Sequence, residues 1–180
     1  MIGSLRFIGL VNAAIWLGGT VFFVLFAEPA IFSRDMQSLL EAKNFPYFSG
    51  AIDQIIAANY YHFNLICAVI ALLQLLAEWL YLGRPARKVS FGLLVGLLVL
   101  GLVGDDVVLS KLKAFHKARY QLNVQPAERE AAARSFNAWR IADRLLDLCM
   151  IGGLIVFVWR AANPTDTLRF VGSVKFRGNR

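Results

Sequence analysis

Four long apolar stretches, separated by polar segments, set the pattern of this 180-residue chain. The first three have about the length, roughly 20 residues, that an α-helix needs to cross the hydrocarbon core of a bilayer, and the last reaches it only when its charged beginning is included. The pattern predicts an all-α integral membrane protein, a four-helix antiparallel bundle in one domain over residues 1–162. The predicted spans cover about residues 5–27, 60–82, 89–109 and 140–159, and a basic juxtamembrane tail covers 163–180.

The segment between the first two spans carries its own helical signals. Pro29 is expected to end the first span, because proline lacks the backbone N–H that a helix interior needs. Ser33 then has the side chain of a helix start, and Pro46 lies between two runs of apolar residues. We expect two short amphipathic helices between residues 33 and 58, lying on the membrane surface or covering one end of the bundle.

The third span contains a GxxxG pattern at Gly92 and Gly96. Such glycines let membrane helices approach closely, and we expect them to serve tight packing here. After this span, residues 110–139 are predicted to leave the membrane as two helical pieces. The break between them is expected near Asn123 and Pro126.

Composition and charge fit a membrane protein better than a soluble one. Hydrophobic residues make up 58% of the chain, more than is usual for a soluble domain. The formal charge is +7, and the basic residues flank the apolar spans. We therefore expect anionic lipid headgroups as the partner of these charges, and no nucleic acid. Cys67 and Cys149 both fall inside predicted spans, where we interpret them as reduced core residues without a disulfide.

Charged residues interrupt the third and fourth spans. The purely apolar part of the last one, from Leu148 to Trp159, is too short to cross a bilayer, so the helix must begin near Arg140. It then carries two arginines and two aspartates on one face, spaced three or four residues apart. Asp105 and Asp106 come before the natural end of the third span.

Antiparallel packing of four spans brings these residues to one pole of the bundle. Charged side chains within a span are costly, and they normally face the bundle interior or a cavity. The pole is therefore either a site for an ion, proton or small polar ligand, or an ion-pair network that fixes the helix register with nothing bound. In the second case, Asp105 or Asp106 is expected to pair with Arg140 or Arg144. The candidate residues are Glu28, Asn59, His62, Asn64, Asp105, Asp106, Arg140, Asp143, Arg144 and Asp147.

Several short motifs in the first half of the chain resemble a small membrane family, called the transmembrane protein 205-like family or domain of unknown function 4149. The resemblance implies a four-span fold and no settled activity, with a distant similarity to copper-resistance D-type membrane proteins and a membrane protoporphyrinogen oxidase. Relatives often place a histidine before the last span, where this chain has Phe136-Asn137-Ala138-Trp139 and no histidine. The motifs are Trp16-Leu17-Gly18-Gly19, Phe22-Phe23, Ala27-Glu28-Pro29-Ala30-Ile31-Phe32 and Phe45-Pro46-Tyr47-Phe48.

The chain offers few residues for metal or haem chemistry. The potential ligands are His62, His116, Cys67, Cys149 and Met150, and no two of them have an H-x-x-x-H or C-x-x-C spacing. No nucleophile with its base and no phosphate-binding glycine loop is apparent. We therefore predict no catalytic residues, no metal site and no stoichiometric haem.

Three functions remain open from the sequence. The first is a non-enzymatic structural or assembly subunit of a membrane complex, favoured by the glycines and the surface helices. The second is a small ion or solute transporter or metal-resistance protein that uses the charged pole; with four spans, a transport path calls for a homo-oligomer. The third, implied by the distant resemblance, is a haem- or metal-binding redox protein.

Orientation gives the first testable prediction. The loop from Gly83 to Lys88 is short, and all its charged residues are basic. Such loops stay on the cytoplasmic side. We predict both termini and position 87 in the cytoplasm of a bacterial cell, with the protein in the inner membrane and position 116 outside. In a chain lacking Cys67 and Cys149, a membrane-impermeant thiol reagent should label a cysteine at 116 in intact cells and a cysteine at 87 only after lysis. Equal labelling of both positions from outside would contradict this topology.

Overall fold

The computed structural model describes residues 2–82, 88–121 and 125–163, and every regular element in these ranges is helical. The all-α prediction is thus confirmed, while most of the basic loop and of the predicted tail lie outside the described residues. Two π-helical segments, Phe23–Ala27 and Val103–Leu109, join successive α-helices end to end. The helices are α1 (Ile2–Phe22), α2 (Glu28–Ile31), α3 (Arg34–Leu40), α4 (Phe45–Leu82), α5 (Lys88–Leu102), α6 (Ser110–Tyr120) and α7 (Pro126–Ala162).

Three helical stretches are long and apolar enough to cross a membrane: Phe7–Ile31, Phe45–Leu80 and Val89–Tyr120. They confirm that the chain is an integral membrane protein, and they contain the first three predicted spans almost entirely. The helix α7 is not among the three. It holds the predicted fourth span, in which the apolar part is preceded by the charged residues between 140 and 147.

The prediction that Pro29 ends the first helix is wrong, and the π-helical segment before it explains why. The backbone N–H of Glu28 donates to the carbonyl of Phe23, five residues earlier, which closes the wide turn. Pro29 then falls in the first turn of α2, directly after this wide turn, so the proline does not end the helical path. The helix ends at Ile31, and Glu28 lies inside it with only 8% of its surface exposed.

Only one of the two predicted surface helices exists as a separate element. The side chain of Ser33 caps α3, accepting a hydrogen bond of 3.2 Å from the backbone N–H of Met36. The second is the beginning of α4, which continues without a break for 38 residues. Pro46 lies in the first turn of this helix, so it does not interrupt it.

The third span also extends further than predicted. The segment Val103–Leu109 carries it into α6, which ends at Tyr120. The next helix begins at Pro126, so the predicted break in this region is confirmed. At about 1.5 Å per residue, α4 and α7 are each about 55 Å long and exceed the roughly 30 Å of a hydrocarbon core.

The long helices pack in a ring around a common core. The helix α1 contacts α4 and α7, and α5 contacts the same two helices from the other side. Trp16, fully buried at the centre of α1, meets the ring of Phe157 edge-on at 6.4 Å. The buried core residues are Ala13, Trp16, Cys67, Ala68, Ala71, Leu94, Leu97, Met150, Leu154 and Phe157.

The two cysteines are both free, but they differ in position. Cys67 belongs to the core, as expected. Cys149 is exposed on the outside of α7, so its assignment to the core is wrong. It directly precedes the fully buried Met150, and one residue turns the side-chain direction by about 100° around a helix.

A second, smaller core lies nearer the predicted pole. Phe23 stacks flat on Tyr60, with ring centroids 4.0 Å apart. Tyr61, 2% exposed, packs against the backbone of Gly104 so closely that a Cβ atom there would overlap its ring. The second π-helical segment therefore passes α4 at a point where only glycine fits.

This close passage predicts the effect of adding one methyl group. We expect Gly104→Ala to lower the free energy of unfolding in detergent by roughly 1–3 kcal/mol, because the Tyr61 ring is buried and must shift. Gly152→Ala is the matched control, since a Cβ atom at Gly152 meets nothing within 4 Å. If the two variants unfold at the same denaturant concentration, the proposed contact does not limit the approach of these helices.

Candidate functional site

A buried carboxylate holds two arginines of α7 at the predicted pole. Glu28 Oε1 accepts hydrogen bonds from Arg144 Nε and Nη2 at 3.2 and 3.1 Å. Nη2 of Arg140 lies 3.5 Å from the same oxygen, and its guanidinium group covers the ring of Phe32 at 3.7 Å. The side chain of Glu28 is 11% exposed and that of Arg144 is 58% exposed, so the cluster lies at the margin of the bundle.

Two aspartates of α7 bind two adjacent tyrosines of α4. Tyr61 Oη donates to Asp143 Oδ1 at 2.5 Å, and Tyr60 Oη donates to Asp147 Oδ1 at 3.2 Å. Asp143 and Asp147 are four residues apart and so lie on one face of α7. These two hydrogen bonds connect α4 with α7. The inner aspartate, Asp147, is 1% exposed.

Deeper in the bundle, the polar contacts centre on Asn64. Its Oδ1 atom accepts hydrogen bonds from Trp16 Nε1 at 2.7 Å and from Thr20 Oγ1 at 3.3 Å. Its Nδ2 atom is buried and has no partner in the structure. One turn towards the N-terminus of α1, Asn12 donates to the carbonyl of Cys67 at 3.0 Å. Polar side chains thus continue from the pole into the middle of the bundle.

Not all the predicted pole residues join this network. Asn59 and His62 are exposed, and the side chain of each bonds to a carbonyl four residues earlier on its own helix. Asp105 is half-buried and Asp106 exposed, and neither forms an ion pair within the described part of the chain. The expected pairing of these aspartates with α7 is wrong, because Glu28 occupies both arginines.

Sequence reasoning missed Asp53 and the roles of Tyr60 and Tyr61. Asp53 is half-buried, and its charge interacts with Arg140, Glu28 and Asp143. The signal was present as a helical spacing: residues 53, 57, 60, 61 and 64 share one face of a continuous α4. It was not recognised because Pro46 was interpreted as a break between two surface helices.

The charges of the cluster do not balance. Two arginines, Arg140 and Arg144, face the acidic side chains of Glu28, Asp53, Asp143 and Asp147. Glu28 takes both arginine contacts, whereas Asp147 is held by a tyrosine hydroxyl. Within the described residues, no group of three His, Cys, Asp or Glu side chains has the geometry to hold a metal ion.

Residues 11–121 carry the family relationship. The family model described as "Domain of unknown function (DUF4149)" matches residues 11–121, which is more than half of the chain. The chain belongs to this family. The match confirms the resemblance to domain of unknown function 4149 that the opening motifs indicated, and the matched range includes Glu28, Asp53, Tyr60 and Tyr61. The charged residues of α7 lie beyond the matched range. No curated protein and no solved structure matches the chain.

The central ion pair predicts a graded loss of stability. We expect Glu28→Ala to lower the free energy of unfolding by roughly 3 kcal/mol, the lower end for a buried ion pair, since Arg144 is more than half exposed. Asp106→Ala, a control at an exposed carboxylate, should change it by less than about 0.5 kcal/mol. Urea or thermal unfolding in mild detergent measures both.

A compensating variant separates pairing from simple loss of contact. Replacing Arg140 and Arg144 by alanine together with Glu28 should recover part of the loss, because neither guanidinium group is then left without its carboxylate partner. If Asp106→Ala is as harmful as Glu28→Ala, or if the triple variant is less stable than Glu28→Ala, the assignment of Glu28 as the central partner fails.

Proposed function

We propose that this DUF4149 protein is a non-enzymatic structural or assembly subunit of a membrane complex. In this proposal, α7 provides a fourth span, so that α1, α4, α5 and α7 form a four-helix antiparallel bundle in a bacterial inner membrane. Both termini lie in the cytoplasm, and basic residues outside the spans contact anionic headgroups.

The observation that carries this proposal is the outer face of α5. Gly92 and Gly96 are both exposed, and a Cβ atom added at either would meet nothing within 4 Å. By contrast, Gly153 on α7 packs inward, where a Cβ atom would lie 2.8 Å from the side chain of Leu97. The GxxxG pattern expected to serve close packing is thus not used for packing inside this chain.

An outward GxxxG face is well suited to docking another membrane helix. In lipid, helices associate through close backbone approach, and small residues permit it. Glycine in a helix interior costs roughly 0.5–1 kcal/mol relative to alanine, so two unused glycines on one face call for an explanation. Val95 and Val99 flank them on the same side and are also exposed, with stiff side chains that lose little freedom on contact.

Site-specific cross-linking tests this face. A photo-reactive amino acid placed at Val95 or Val99 should give one discrete adduct in native membranes, containing either a second copy or another membrane protein. The matched control is Val156, which is exposed to a similar extent on α7. Gly92→Leu should abolish the adduct without lowering the folded yield, whereas Gly153→Leu should lower the folded yield. Absence of an adduct at α5, or an equal one at Val156, would contradict the proposal.

A second function is favoured by the excess of carboxylates over arginines at the pole. Intramembrane acidic residues in hydrogen-bonded series are typical of proton and ion pathways. On this alternative, the bundle handles a small cation or proton through the cluster of Glu28, Asp53, Asp143 and Asp147. Loss of a transport phenotype in Asp143→Asn, with the α5 adduct retained, would favour this function over assembly.

A further inference from the structure

Asp147 is the most enclosed ionisable side chain of the cluster. It is 1% exposed, and the hydrogen bond from Tyr60 is its one polar contact in the described part of the chain. It forms no ion pair there, although Arg144 lies less than one turn away on α7. The guanidinium of Arg144 is turned towards Glu28 instead.

The position of Asp147 along the bundle makes this lack of a counter-charge important. The hydroxyl group of Tyr60, which donates to Asp147, also lies close to Asn64 and Thr20. On α7, Asp147 lies three residues beyond Arg144, about one turn inward from the ion pair with Glu28. At 1% exposure, an ionised carboxylate without a counter-charge is costly there.

The surrounding groups disfavour a metal ion as the compensating charge. Asn64 Oδ1 already accepts a hydrogen bond from Trp16 Nε1, and the single hydroxyl hydrogen of Thr20 is shared between this oxygen and the backbone carbonyl of Trp16. The remaining buried atom, Asn64 Nδ2, is a hydrogen-bond donor and repels cations. A proton needs only one acceptor oxygen, and Asp147 supplies it.

The groups facing Asp147 leave it surrounded by acids and neutral donors. From α4 these are Asp53, Tyr60, Tyr61 and Asn64, and from α1 and α2 they are Thr20 and Glu28; Asp143 precedes it on α7. The second π-helical segment contributes Gly104 and Leu109 to this region, and its Asp105 and Asp106 lie at or near the surface. The neighbouring carboxylates make a negative charge at Asp147 still less favourable.

We propose that Asp147 is a proton-binding site inside the membrane-spanning bundle, which takes up a proton from the side of the charged pole. Binding adds a proton to the carboxylate and gives a neutral carboxylic acid, and release returns the same proton without any other bond change. The Tyr61–Asp143 pair lies between Asp147 and the pole and provides the nearest groups for exchange. This inference does not depend on assembly through α5.

Infrared spectroscopy of the protein in lipid vesicles tests the proposal directly. A protonated carboxyl group has a C=O stretching band separate from the amide bands, and it shifts in D₂O. We expect such a band at neutral pH, and we expect Asp147→Asn to remove part of it. Asp106→Asn, at an exposed carboxylate, should leave the band intensity unchanged.

Two further measurements keep the test decisive. Asp147→Asn keeps an acceptor for Tyr60 and mimics the protonated form, so it should melt like the parent, whereas Asp147→Ala should melt at a lower temperature. Tyr60→Phe should shift the carboxyl band, because it removes the hydrogen bond to Asp147. A parent protein without a carboxylic acid band at neutral pH would overturn the proposal. A band that is the same in Asp147→Asn and unshifted in Tyr60→Phe would overturn it as well.

Discussion

The contact between Glu28 and the two arginines of α7 ties the beginning of the fold to its end. These residues are separated by more than 100 positions in the sequence, yet one carboxylate oxygen serves both guanidinium groups. A charge near hydrocarbon must find its partner within the protein, and breaking a buried pair costs several kcal/mol. The contact therefore sets the position of α7 along the axis of α1. At this register, Asp143 and Asp147 meet Tyr61 and Tyr60.

The polar contacts inside this bundle carry less charge the deeper they lie. At the margin, opposite charges meet and one arginine is largely exposed. One turn further in, a carboxylate meets a phenol, and beyond it an amide meets an indole and a hydroxyl. The charge of the contacts decreases with depth, as the rising cost of desolvation requires. The packing around this series is aromatic, with Phe23 stacked on Tyr60.

The sequence predicted the helical class and much of the site, for identifiable physical reasons. Because the apolar part of α7 is short, Arg140 and Asp147 were expected to face the bundle. In the structure they do. The partner of the arginines was not predictable, since charge alone does not distinguish Glu28 from Asp105. Asp53 was missed because a proline in a first turn and a proline that breaks a helix look alike in sequence. No pattern in the sequence predicted the two π-helical segments.

These two π-helical segments have a consequence for how the chain tolerates insertions and deletions. A π-helical turn accommodates about one residue more than an α-helical turn. Deleting one residue within Phe23–Ala27 would restore a regular helix and rotate everything before it by about 100° relative to Glu28. Trp16 and Thr20 would then point away from Asn64 while the ion pair stayed in place. The extra residue thus rotates the helix so that Trp16 and Thr20, before the π-helical turn, and Glu28, after it, all point into the bundle. Length variation among DUF4149 sequences should therefore be rarer at these two turns than in the connecting loops.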